Sequence, residues 1–97
     1  MDANLINFWE PSKKESDKVL AYRRRKKKSG KLADNSFELK PDGQFIQYNV
    51  SREGKLDMKK GTYEIKDHFI YVNFDNPYED FIINILYNDN KVLKIRK

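Results

Sequence analysis

One histidine, one acidic loop and one basic run hold the chemistry this sequence offers. His68 stands in a two-residue connection, Asp67-His68, between two stretches of alternating apolar residues. As a general base it would need a Ser, Thr or Lys brought beside it. In a turn it reads as an exposed side chain. Asp75, Asn76, Glu79 and Asp80 gather around Pro77 and supply oxygen donors of the kind a hard cation takes. The same composition describes an ordinary solvated loop. The glycines at 30, 43, 54 and 61 are too scattered for a phosphate-cradling loop. With no cysteine there is no disulfide, thiolate nucleophile or cysteine-held metal. These residues point away from an enzyme, and no catalytic residue, metal or cofactor is expected.

The basic run is Arg23, Arg24, Arg25, Lys26, Lys27 and Lys28. Six adjacent cations release counterions if they meet phosphate, and Tyr22, Tyr63 and Tyr71 offer faces on which bases stack. Nucleic acid or another polyanion is therefore one candidate partner. An acidic protein is a second. The third reading is a solvated strand end, because like charges repel and cannot be buried unpaired. On that reading the run projects beyond the fold. Pairing with Asp75, Glu79 and Asp80 would count against polyanion binding.

The elements that must carry these groups fit one domain over residues 1–97. Hydrophobic residues are 38% and charged residues 36%, too apolar for a disordered chain and too polar for a membrane protein. No apolar run is long enough to span a bilayer as a helix. Residues 1–31 hold ten basic and four acidic residues, net +6, whereas residues 32–97 hold ten and eleven, net −1. The excess charge is thus local. Met1-Asp2-Ala3-Asn4 lacks the basic start of an export signal, which leads to the expectation of a cytoplasmic protein.

Residues 2–9 read as a short N-terminal helix, with Asp2 as N-cap and Leu5, Ile6 and Trp9 near helical spacing. Pro11 ends it, and 11–17 reads as a loop. From Lys18 the period is two. Strands are expected over 18–25, 36–40, 44–51, 62–66, 69–74, 81–87 and 91–96, with a short apolar alternation at 56–58 and turns at Pro41-Asp42-Gly43 and Arg52-Glu53-Gly54-Lys55. Gly61 is expected to bulge or bend its strand. Short turns between sequential strands predict an all-β, antiparallel up-and-down meander of about seven strands, curled into a small barrel. Two strands carry apolar residues on both faces. In one, Phe45 opposes Ile46, Tyr48 and Val50; in the other, Phe69 and Tyr71 oppose Ile70, Val72 and Phe74. The outer face needs a cover: the N-terminal helix, a bulge, or a second copy in a homodimer.

Several of these stretches resemble the small bacterial lipocalin-like domains of the calycin type. They are Phe37-Glu38-Leu39-Lys40-Pro41-Asp42-Gly43-Gln44-Phe45, Lys60-Gly61-Thr62-Tyr63-Glu64-Ile65, Ile70-Tyr71-Val72 and Lys91-Val92-Leu93-Lys94-Ile95. The resemblance covers residues 36–97. It implies a lipocalin-like barrel in which Trp9 is buried and Arg96, on the last strand, packs over it as a structural pair. No Gly stands two residues before Trp9, and the chain is shorter than a full lipocalin. The expected function is non-enzymatic: binding of a small apolar ligand or of a protein partner. The alternatives are polyanion binding through 23–28 and an immunity-type or regulatory role that neutralises a partner. Whether the six Phe, six Tyr and one Trp line a cup or fill the barrel decides between ligand and partner.

Overall fold

Alternation of apolar and polar residues along short segments, punctuated by turn residues, leaves an antiparallel sheet as the way to bury one face. The structure, a computed structural model, describes residues 5–25 and 33–96. Those residues form eight strands: β1 (Phe8–Lys14), β2 (Val19–Arg24), β3 (Ser36–Leu39), β4 (Gln44–Val50), β5 (Leu56–Lys66), β6 (Phe69–Asn73), β7 (Phe81–Asn88) and β8 (Val92–Arg96). They close into a barrel of order β1-β2-β8-β7-β6-β5-β4-β3, every neighbouring pair antiparallel. Among the described residues no helix is long and apolar enough to cross a membrane.

From β3 to β8 the chain is the expected meander. The eighth strand is β1, and it corrects the reading of 2–9 as helix and 11–17 as loop. Residues 2–4 lie outside the described residues, but Phe8, Trp9 and Glu10 are strand. Pro11, which argued for a stop, sits beside an irregularity in the β1–β2 register between Pro11 and Lys13. Proline is tolerated in a sheet at such a place, where a ladder donor is missing anyway. Trp9 is the Cα partner of Arg24 in β2 on one side and of Phe37 in β3 on the other. The first hairpin is therefore inserted with β1, not β2, beside β3. β2 and β3 lie on either side of β1, about two strand spacings or roughly 10 Å apart.

The turns follow their residues. In the β3–β4 turn Lys40 C=O accepts from Gly43 N–H at 3.1 Å, and Gly43 has φ 88°. In the β4–β5 turn Ser51 C=O accepts from Gly54 N–H at 2.9 Å, with Gly54 at φ 82°. Gly61 does not bulge: β5 pairs with β4 from Leu56 to Thr62 without a register shift. A side chain there would instead collide with the Asn73 carbonyl oxygen and lie 2.8 Å from Phe74 Cδ1. Glycine at 61 is a demand of close approach between β5 and the end of β6.

The interior is filled by side chains. Trp9, Phe45, Ile70 and Leu93 have no exposed surface. Phe45 is the hub, stacked on Phe37 at 5.6 Å between centroids and met edge-on by Phe81 at 5.7 Å and Phe74 at 6.1 Å. Leu5 is buried with this core, and its carbonyl accepts from Trp9 Nε1 at 3.0 Å. The second face of β4 is covered within the chain. Phe8, Ile46 and Tyr48 form a separate buried cluster on the outer wall, with Phe8 and Tyr48 rings 5.1 Å apart.

Candidate functional site

Four regions, and the acidic loop besides, hold the residues that the sequence singled out or that the fold brings to the surface. The first is the basic run. Arg23 and Arg24 are the end of β2 and Arg25 follows; Lys26, Lys27 and Lys28 lie outside the described residues. The expectation of a run projecting from the barrel fails for its first half. Register places Arg23 opposite Glu10 of β1. Arg23 Nε donates to Glu10 Oε1 at 2.7 Å and Arg25 Nη1 to Glu10 Oε2 at 3.2 Å. Glu10 is only 9% exposed, so this carboxylate is held in a partly buried fork of two guanidiniums. A groove of about 720 Å³ runs beside it, lined by Glu10, Arg23, Arg25, Asp34, Val50 and Ser51. Both signs of charge face that groove, which suits a single-sign polyanion poorly.

The acidic loop is used by the fold in another way. Asn76 Oδ1 accepts from Tyr78 N–H at 3.1 Å and caps the 3₁₀ turn Pro77–Glu79. Asp80 accepts from Phe74 N–H at 2.7 Å, and Glu79 pairs with Lys59 at 2.9 Å. These groups pin the β6–β7 connection to the rim of the barrel, and none of these bonds runs to the basic run.

The second region is the barrel end at His68. A cleft of about 350 Å³ has Leu5, Ile65 and Ile85 on its floor and Asp67, His68, Tyr87 and Asn88 on its rim. His68 is exposed and no Ser, Thr or Lys lines the cleft beside it. The nearest hydroxyl on the rim, the Tyr87 phenol, donates to Asp89 Oδ2 at 2.8 Å. That bond, and the Asp89 charge, push the phenol above its ordinary pKa. Burial likewise raises Tyr22, and burial with the Asp42 charge raises Tyr63, whose hydroxyl donates to the Lys40 carbonyl at 2.6 Å. These phenols are kept neutral, the opposite of what a nucleophile or base requires.

The third region is the expected Trp9–Arg96 pair. Trp9 is buried, as the resemblance implied, but Arg96 does not cover it. Arg96 is exposed on the outer face of β8, opposite Val19 of β2, while Trp9 stands level with Arg24. Five residues of strand separate those levels, about 17 Å at the usual rise. The strand order is the reason. With β1 between β2 and β3, β8 neighbours β2, and its last residue lies at the opposite end of the barrel from the indole.

The fourth region was half legible. Ile70 and Val72 of β6 point into the core, so Phe69 and Tyr71 face outward, as the alternation required. Unlike the outer face of β4, this wall has no buried cluster over it among the described residues. On β7 the outward Ile82 is 58% exposed, and Leu86 and Tyr87 are 49% and 50% exposed. The β7–β8 register shifts between Ile85 and Tyr87. That irregularity breaks the alternation at Leu86 and places two large side chains in a row at the surface. Strict alternation over the expected strand 81–87 puts Tyr87 on the inner face with Ile83 and Ile85; the bulge turns it outward, because period-two logic holds on only one side of a bulge.

No protein-family model matches the sequence, and no curated protein and no solved structure matches it.

Proposed function

We propose that this protein is a non-enzymatic barrel that works by binding a protein partner on the outer wall of β6 and β7. The observation that carries the reading is the row of Ile82, Leu86 and Tyr87, each about half exposed or more, next to the outward Phe69 and Tyr71. Exposed aromatic and aliphatic residues gathered on one wall and rimmed by charge mark protein interaction surfaces. The filled interior supports the same choice. Phe37, Phe45, Phe74 and Phe81 occupy the volume that a lipocalin-like cup would leave for a ligand. Kinship with lipocalin-like domains draws support from closure of an antiparallel barrel by eight strands. The order of β1 and β2 departs from a strict up-and-down barrel.

A photoreactive residue at position 82, expressed in the cells that make the protein, tests the reading. An adduct is expected from position 82 and not from exposed position 62 on β5. It should disappear when Tyr71→Ala and Leu86→Asp are added. An adduct of equal yield from both positions, or none from 82, refutes binding at this wall.

A further inference from the structure

We infer that the occupant of the β6–β7 wall is a second copy of this chain, related by a twofold axis that runs across the strands within the interface. The inference rests on the reading of that wall as a protein-binding surface. Its warrant is the way charge and apolar groups are laid out in register. Glu64, Tyr71 and Ile82 are successive Cα partners across β5, β6 and β7 and form one outward row. Lys66, Phe69 and Asn84 form the next outward row, two residues along each strand. Both rows face out because Tyr63, Ile70, Val72 and Ile83, which alternate with them, are buried.

An in-plane twofold between the rows lays each row of one copy on the other row of its mate. Glu64 then meets the second copy's Lys66, and Lys66 meets the second copy's Glu64. Tyr71 meets the second copy's Phe69, again twice. One rotation satisfies two charge pairs and two aromatic contacts. A partner of single charge sign would satisfy one member of the Glu64 and Lys66 couple and repel the other. Within one copy the two ends are 3.9 Å apart and each side chain is 70% exposed. A pair that exposed is weak, so both groups are free to re-pair across the axis. Strands of the two walls run nearly aligned in this arrangement, the geometry of packed sheets about 10 Å apart.

Sedimentation equilibrium of the purified chain, with far-UV circular dichroism to verify folding, tests the arrangement. The chain is expected to dimerise. Glu64→Lys alone and Lys66→Glu alone should each weaken the dimer by about tenfold or more. Each single change sets like charges opposite one another at both symmetry-related positions. The double variant Glu64→Lys with Lys66→Glu should restore it, which a merely apolar contact would not require. Ile82→Asp should give a folded monomer. A wild-type chain that stays monomeric up to about 1 mM overturns the inference, as does a folded double variant no tighter than the singles. The adduct at position 82 separates the two failures. An adduct with a different protein refutes the second copy and keeps the wall as a binding surface, and no adduct at all removes both.

Discussion

Gly61→Ala offers the most direct check on how tightly this barrel is closed. The added methyl would collide with the carbonyl oxygen of Asn73 and lie 2.8 Å from Phe74 Cδ1 and 3.1 Å from Cε1. Ordinary carbon contacts are about 3.5–4.0 Å. Either the end of β6 moves away from β5 or Phe74 turns. Phe74 is held by Phe45 at 6.1 Å and Phe81 at 5.9 Å, with Lys59 Nζ 4.8 Å above its ring. Moving the β6 end breaks the Thr62–Asn73 pairing. Overpacking of a fixed site costs about 1–3 kcal/mol, and with backbone on one side and a wedged ring on the other the upper value, about 3 kcal/mol, is expected. For a domain of this size that lowers Tm by about 12–24 °C. Gly43→Ala and Gly54→Ala are the contrast. Neither meets an atom within 4 Å, but both stand at positive φ, 88° and 82°. Their cost is conformational alone, about 1–2 kcal/mol. Urea unfolding followed by Trp9, the single tryptophan and completely buried, measures all three. A Gly61→Ala chain within about 0.5 kcal/mol of wild type, the range of neutral surface changes, would refute the close approach.

Trp9→Ala should cost about 3–5 kcal/mol, as large buried aromatics do, while Arg96→Ala stays within about 0.5 kcal/mol; a large Arg96 effect in thermal melts would restore the pairing that the strand order denies. Asp89 sets the pH behaviour of the β7–β8 turn. Its Oδ1 accepts from the N–H groups of Lys91 and Val92 at 2.7 Å each, and Tyr87 donates to Oδ2. Chiefly the Lys91 N–H, then the Tyr87 hydroxyl and the Val92 N–H, hold the carboxyl below its ordinary value. Because the folded pKa is the lower one, its contribution is full above the ordinary aspartate value and is lost as pH falls through the lowered folded value. Amide exchange at Lys91 and Val92 should therefore accelerate in that acid window in the wild type and show no such step in Asp89→Asn; identical profiles would refute the assignment.

Most of the barrel was legible from Lys18 onward because most stretches there alternate with a period of two and their turns carry the residues the geometry needs. Gly43 and Gly54 stand at the positive φ their turns demand. Asp67, at φ 55°, makes the tight connection to β6. The N-terminal strand was hidden by Pro11, a local signal overridden by a register irregularity that only the partner strand creates. The Glu10 fork was hidden for a different reason. Its arginines lie 13 and 15 residues away, and no spacing rule joins groups that meet through strand pairing. The Trp9–Arg96 expectation came from a resemblance and failed on topology, which carries no mark in local sequence. The outer wall of β6 was read correctly from alternation. The exposure of Tyr87 was not, because one extra residue shifts the faces.

The insertion of β1 beside β3 also explains why the outer face of β4 is covered while that of β6 and β7 is left open among the described residues. The outward side chains of β1 at that level are Phe8 and Glu10; those of β2 are Val19, Ala21 and Arg23. Beside β3 and β4, Phe8 completes a cluster with Ile46 and Tyr48 and buries all three. Had β2 stood there, Ala21 and Arg23 would offer Ile46 and Tyr48 little to pack against, and the barrel would carry two exposed apolar walls. The same insertion places Ala21 opposite Lys94 of β8, on the far side from β4. Strand order thus hides one outward apolar face and leaves the other, on β6 and β7, open, where Ile82, Leu86 and Tyr87 meet solvent; Leu56 and Met58 at the start of β5 and Tyr78 in the β6–β7 connection are exposed elsewhere. A chain whose core is already filled by aromatics has no packing reason to keep Ile82 more than half exposed. The proposed binding would supply that reason, and Glu64 and Lys66 on adjacent outward rows give the wall the charge layout that the inferred twofold uses.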